Sequence, residues 1–144
     1  MTKRQKALAQ FLIEEESATK REAVETALTG CDEELQGFGD FKVLTNEEAD
    51  EHAKEYILET VWAFNKSFLD CHSEAIAEMD EEVWEAIQSK CESSNATILR
   101  LIDDIEHFVE DAVLCDGRGH FLSSYDGNEY EQQVDGEYFY IYKN

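Results

Sequence analysis

Carboxylates recur three or four residues apart along several stretches of this sequence. Glu48, Glu51, Glu55 and Glu59 form one run, Glu78, Glu81, Glu82 and Glu85 a second, and Asp103, Glu106 and Glu110 a third. On a helix, such spacing lines the acids along one face. The chemistry open to such a face is the binding of cations, either metal ions or the Lys and Arg side chains of another protein. Catalysis asks for a more particular pattern. Carboxylates this abundant single out no acid–base pair, and the sequence holds neither G-x-S-x-G nor a Cys–His nucleophile signature. The expectation is a protein that is not an enzyme and uses no cofactor.

Counter-charge is scarce along these runs. Lys54 is the one Lys in the first, and Arg100 is the one cation near the third. Like charges at i, i+4 cost a helix some tenths of a kcal/mol per pair, whereas an ordinary solvated face mixes Lys with Glu. A highly charged face also keeps a protein soluble, so plain solvation is the competing reading. Over the 144 residues, 34 Asp and Glu face 12 Lys and Arg, a formal net charge of -22. Direct binding to nucleic acid or to an anionic membrane is therefore not expected. The distribution is uneven: Lys3, Arg4 and Lys6 give +3 before any acid, which leaves -25 for the remainder.

A length argument narrows the cationic partner. A compact domain of this size spans roughly 37 Å. Duplex DNA carries about 22 charges over that length. One helical stripe offers a carboxylate every ~5.4 Å against ~3.4 Å per phosphate on one strand, so imitation of a duplex needs two or three neighbouring stripes.

Point metal sites fit less well. Asp126-Gly127-Asn128-Glu129-Tyr130-Glu131 begins like a calcium loop, but Tyr130 stands at the fifth position and the Gly required at the sixth is absent. Cys115 with His120, or Cys71 with His72, lacks a zinc-ligand spacing. No metal site is expected. Cys31, Cys71, Cys91 and Cys115 form no C-x-x-C pair and are expected as reduced thiols. Asp116-Gly117-Arg118-Gly119-His120 is the most distinctive short segment. It suits an anion-holding nest of backbone N–H groups. The favoured alternative has Gly117 capping the preceding helix while Arg118 pairs with a local carboxylate.

These residues need positioning elements. Leu8, Phe11, Leu12, Ala18, Val24 and Leu28 predict a first helix from about Lys3 to Leu28, with an apolar stripe interrupted by Glu14 to Glu16 and an end at Thr29-Gly30. Phe41-Lys42-Val43-Leu44 suits a short strand. Thr45-Asn46-Glu47-Glu48 is a capping box for a second helix running to about Phe64. A short segment from Phe68 leads to Asp80, which can cap a helix carrying Val83, Trp84, Ile87 and Cys91. Ile98, Leu99, Ile102, Ile105, Phe108, Val109 and Ala112 keep a 3.6-residue period and predict the strongest helix. After Asp116 the pattern alternates. Asp135-Gly136 between Glu129–Val134 and Glu137–Tyr142 predicts a hairpin, with Tyr138, Tyr140 and Tyr142 on one face and Phe139 and Ile141 on the other.

The predicted fold class is therefore α+β, mostly helical, with four to five helices and a small C-terminal antiparallel β-hairpin or sheet. One domain is expected over 1–144, made of an N-terminal helix with a basic start (1–39), a helical body (40–115) and a Gly- and Tyr-rich loop and hairpin (116–144). No stretch approaches the roughly 20 apolar residues of a membrane span. The apolar run after the basic start is too short and too quickly acidic for a signal peptide, so an intracellular protein is expected.

Three segments together carry a resemblance. They are Leu44-Thr45-Asn46-Glu47-Glu48-Ala49-Asp50 with Val61-Trp62-Ala63-Phe64-Asn65, then Val109-Glu110-Asp111-Ala112 with Asp116-Gly117-Arg118-Gly119-His120 through Tyr125-Asp126-Gly127, then the Tyr-rich hairpin. Over roughly residues 40–144 the chain resembles small acidic proteins of unassigned function from bacteriophages and related mobile elements. The resemblance implies a phage setting, the cytoplasm of a bacterial host, and inhibition of host nucleic-acid-handling machinery. It carries over no catalytic residue.

The leading expectation is a non-enzymatic inhibitor of a host defence nucleoprotein or nuclease, of the anti-CRISPR or anti-restriction kind. Its acidic runs would imitate nucleic acid in a basic groove. The alternatives are an acidic adaptor that docks through the hairpin or through Asp116, Arg118, His120, Asp126 and Tyr138, and a cation-binding protein.

Overall fold

Where the chain turns is set by a few residues with unusual backbone or capping side chains. The computed structural model describes residues 1–32 and 37–144, without the side chains of 31 and 32. Its elements run α1 (Lys3–Glu14), α2 (Lys20–Thr29), β1 (Cys31–Asp32), β2 (Gly37–Phe38), β3 (Phe41–Leu44), α3 (Asn46–Glu59), α4 (Lys66–Asp70), α5 (Glu74–Ala77), α6 (Glu81–Gln88), α7 (Asn95–Leu101), α8 (Ile105–Asp116), α9 (Arg118–Leu122), β4 (Tyr130–Val134) and β5 (Glu137–Lys143). Short 3-10 turns at Val61–Ala63 and Cys91–Ser94 lie between. The α+β class stands. The helix number does not: nine α-helices occur among the described residues where four or five were expected.

Two breaks account for part of the difference. The predicted first helix is two helices. Ser17 is left-handed at φ 57°, and Thr19 then starts α2 with a capping box, its hydroxyl accepting from the Glu22 N–H while Glu22 reaches back to the Thr19 N–H. The predicted strongest helix also divides. Ile102 is extended, the Asp103 N–H donates to the His72 carbonyl at 2.9 Å, and Asp104 caps α8 by accepting from the His107 N–H at 3.1 Å. The second helix stops at Glu59, short of Phe64.

The described chain divides into two compact units, Met1–His52 with Arg118–Asn144, and Ala53–Gly117. The first holds an antiparallel sheet in the order β1-β2-β3-β5-β4. β5 lies between β3 and β4, with Val43 opposite Ile141 and Gln132 opposite Phe139. The β4–β5 turn is Asp135-Gly136 at φ 51° and 82°, the two positive values that a type I′ turn requires. Ala7, Leu8, Phe11 and Leu12 of α1 pack with Val43, Val134, Phe139 and Ile141 in one core. The Phe11 ring lies 4.9 Å from Tyr130 and 5.9 Å from Phe41. Burial of a side chain such as Phe11 contributes about 1.5–3 kcal/mol. The opposite face of β5 is covered too. Tyr142 is fully buried although it shares a face with the half-exposed Tyr138; α9 packs against β5, and the hydroxyl of Ser123, just after α9, donates to the Lys143 carbonyl beside Tyr142 at 3.1 Å.

The second unit is helical. Ile57, Leu69, Ile76, Trp84, Ile98, Phe108 and Ala112 are buried. Phe64, Phe68 and Phe108 form a ring cluster at 5.3–5.8 Å. The buried His72 joins it, 5.2 Å from Phe68 and 5.4 Å from Phe108, with Nε2 2.7 Å from Asp111 Oδ2. Gly117 ends the unit: at φ 82° it caps α8, its N–H donating to the Val113 carbonyl at 2.7 Å.

Candidate functional site

Three of the eleven stripe carboxylates are committed to the fold. Glu48 sits in a fork from the Arg4 guanidinium, with Nη1 at 2.7 Å and Nη2 at 3.0 Å. It also closes the predicted capping box, accepting from the Thr45 N–H at 3.1 Å while its own N–H donates to the Thr45 hydroxyl at 3.3 Å. The Arg4 hydrogen bonds hold its pKa below the ordinary carboxylate value despite part burial. Asp103 precedes α8 rather than riding on it, so the third stripe loses its first member. Its Oδ2 accepts from the Glu74 N–H at 3.1 Å, at the start of α5. Glu106 pairs with Lys54 at 2.6 Å.

The other eight are exposed: Glu51, Glu55, Glu59, Glu78, Glu81, Glu82, Glu85 and Glu110. None holds an ion pair among the described residues. Glu78 is displaced from its predicted place. It follows the last residue of α5, not α6, because Asp80 takes the N-cap of α6. Glu81 and Glu82 fall in the first turn of α6, where the helix dipole favours negative charge. Seven of the eight, all but Glu51, belong to the unit Ala53–Gly117. That stretch holds 4 Lys and Arg against 16 Asp and Glu, a net charge of -12, while the sheet unit with 8 against 18 carries -10. Two of its four cations are engaged, Lys54 with Glu106 and Lys66 with Asp70.

The second predicted set does not form one site. Asp116 is the exposed end of α8. Arg118 opens α9, where a loop was expected, and its side chain is only 12% exposed. Its Nε donates to Glu129 at 2.8 Å, and Nη1 donates to the Asn46 side chain at 2.9 Å and to Asp50 at 3.1 Å. The guanidinium lies over the Tyr140 ring at 4.6 Å. The buried Tyr142 hydroxyl donates to Glu129, and burial followed by that bond pushes its pKa upward. Arg118 is thus the predicted partner of a local carboxylate.

Asp126 belongs to a separate cluster. It accepts from the Ser123 hydroxyl at 2.8 Å, the Asn128 N–H at 3.0 Å and the Tyr130 hydroxyl at 2.8 Å, with Lys143 Nζ at 3.6 Å. Burial favours the protonated acid, yet these donors outweigh it and bring the pKa down to about 2. His120 is exposed with its ring edge-on to Phe121, and Tyr138 is half-exposed beside the hairpin turn. Asn46, Asp50, Glu129 and Tyr140 around Arg118, and Lys143 beside Asp126, were not expected from the sequence as partners of these side chains. Arg118 was the available signal, since a lone cation in an acidic chain needs a carboxylate near it.

Among the described residues no three His, Cys, Asp or Glu side chains are grouped as metal ligands. Cys71, Cys91 and Cys115 are free and exposed, and the Cys31 side chain lies outside the described set. No helix among the described residues is long and apolar enough to cross a membrane. The chain matches no family model, no curated protein and no solved structure.

Proposed function

We propose that this chain is a phage-encoded, non-enzymatic inhibitor that occupies the basic nucleic-acid groove of a host defence nucleoprotein or nuclease in the bacterial cytoplasm. One observation carries the reading: the unit Ala53–Gly117 concentrates 16 acids against 4 cations and leaves seven of the predicted stripe carboxylates exposed and without an ion pair among the described residues. A compact unit of 65 residues spans roughly 28 Å, over which duplex DNA carries about 16 charges. The unit's 16 acids equal that number and its net charge of -12 comes close to it. The phage setting rests on the Leu44–Asp50 and Val61–Asn65, Val109–Ala112 and Asp116–Gly127, and hairpin segments and their resemblance to acidic phage proteins.

Exposed like charges oppose folding, and neutralising them on a partner removes that penalty. Binding of this kind releases little water from apolar surface and depends on ionic strength. The experiment is competition with a labelled target duplex for a purified, guide-loaded CRISPR effector and for a purified restriction enzyme, at rising salt. The reading predicts displacement of the duplex at low salt and a steep loss of inhibition as salt rises. Affinity that stays level from low to high salt refutes an electrostatic mimic.

A further inference from the structure

Strand β4 is an edge of the sheet, bonded to β5 alone. Its register fixes which backbone groups point away. The two-residue Asp135-Gly136 turn makes Val134 and Glu137 a hydrogen-bonded pair, and the alternation of an antiparallel ladder then gives Gln132–Phe139 and Tyr130–Ile141. Glu131 and Gln133 therefore direct their N–H and C=O groups outward. No hydrogen bond engages those groups among the described residues, and both residues are exposed. The inner side chains Gln132 and Val134 are buried, so the strand is held firmly while its rim stays open.

Open edges are usually blunted by Pro, Lys or a bulge. β4 has none of these: the chain has no Pro, the strand has no Lys, and its pairing is continuous over five residues. What it carries instead is acid. Glu131 is exposed on the strand and Asp135 follows it in the turn, whereas Glu129 before it is held by Arg118. Two copies joined edge to edge would bring these acids, and two charges of -22, against each other. The same acids favour a strand with Lys or Arg at alternate positions.

We propose that the β4 edge is a docking site for an extended basic segment of a partner protein, which adds to the sheet as a further strand. Backbone groups of Glu131 and Gln133 pair with the incoming chain, and Glu131 meets its cations. This surface lies in the sheet unit and does not rest on the groove-occupying reading of the helical unit.

The test uses the full-length 15N-labelled chain and a synthetic peptide alternating Lys with Val. Saturable binding is expected, with amide exchange slowed at least tenfold at Glu131 and Gln133 and unchanged at Gln132. Gln133→Pro removes one outward donor at a position where an edge strand tolerates Pro. Its affinity is expected to fall at least tenfold, with the wild-type thermal midpoint retained. Glu131→Gln keeps the backbone groups and is expected to weaken binding severalfold; this variant decides the matter if Gln133→Pro fails to fold. Three results overturn the proposal: no protection of these amides, Gln133→Pro or Glu131→Gln binding as wild type does, or concentration-dependent self-association of the wild-type chain through β4.

Discussion

Replacing Arg118 with Ala tests whether the Asp116–His120 segment is a structural joint or a free docking loop. The Nε bond to Glu129 is charge-assisted and shielded, with a side chain 12% exposed meeting one 31% exposed, and a bond of that kind contributes about 2 kcal/mol. The Asp50 pair is weaker, because the Asp50 side chain is 63% exposed, and adds about 0.5 kcal/mol. The stack over Tyr140 adds about 0.5 kcal/mol. The expected loss is about 3 kcal/mol for the sheet unit. Arg118→Lys keeps a charge near Glu129 but loses the fork and the planar stack, and is expected to cost about half as much. Urea denaturation followed by near-UV circular dichroism is the assay, since five of the six Tyr lie in this unit. With a slope of about 2 kcal/mol per molar urea, the midpoint of Arg118→Ala should fall by about 1.5 M. A variant within about 0.5 kcal/mol of wild type would refute the structural assignment and return Arg118 to partner binding.

Other consequences are separable. Gly119→Ala places a Cβ 2.5 Å from the Gly127 carbonyl oxygen and 2.7 Å from Asn128 C, so it should destabilise by about 2–3 kcal/mol in the same urea assay. Asp126 titrates at about 2, below the ordinary 3.8; its stabilising contribution is present above that ordinary value and is lost as pH falls through about 2. Asp126→Asn should therefore be less stable than wild type near neutrality, with the difference shrinking as urea midpoints are taken from pH 5 towards pH 2. Asp104→Ala removes the α8 cap and should cost about 1 kcal/mol, read by Trp fluorescence because Trp62 and Trp84 both lie in the helical unit.

Local chemistry was legible in the sequence and distant partnership was not. Asp135-Gly136 announced its hairpin because a type I′ turn needs two residues tolerant of positive φ. The Thr45–Glu48 capping box formed as read. Glu48's other role, holding Arg4 from 44 positions away, leaves no local trace. The period from Ile98 to Ala112 runs unbroken through a real helix break, since the bonds that stop α7 come from His72 and Glu74, far upstream. Gly119 looked like loop punctuation. It is a close-packing Gly inside α9, where the neighbouring backbone excludes a side chain. The alternation that set Tyr138, Tyr140 and Tyr142 on one face was correct. Their graded burial depends on contacts from α9, among them the Arg118 stack over Tyr140, which alternation does not encode.

The central claim is that the exposed acids of the helical unit substitute for phosphates. Glu78, Glu81, Glu82 and Glu85 are exposed and hold no ion pair among the described residues, so changing all four to Gln should leave the fold intact. The direct measurement is inhibition of duplex binding by a guide-loaded CRISPR effector at low salt, wild type against this quadruple variant. The account predicts at least a tenfold loss of inhibition and a shallower dependence on salt, with a urea midpoint shifted by no more than about 0.5 M, since the lost dipole interaction of Glu81 and Glu82 is offset by relief of like-charge repulsion. Equal inhibition by the two proteins, at equal salt dependence, would contradict it.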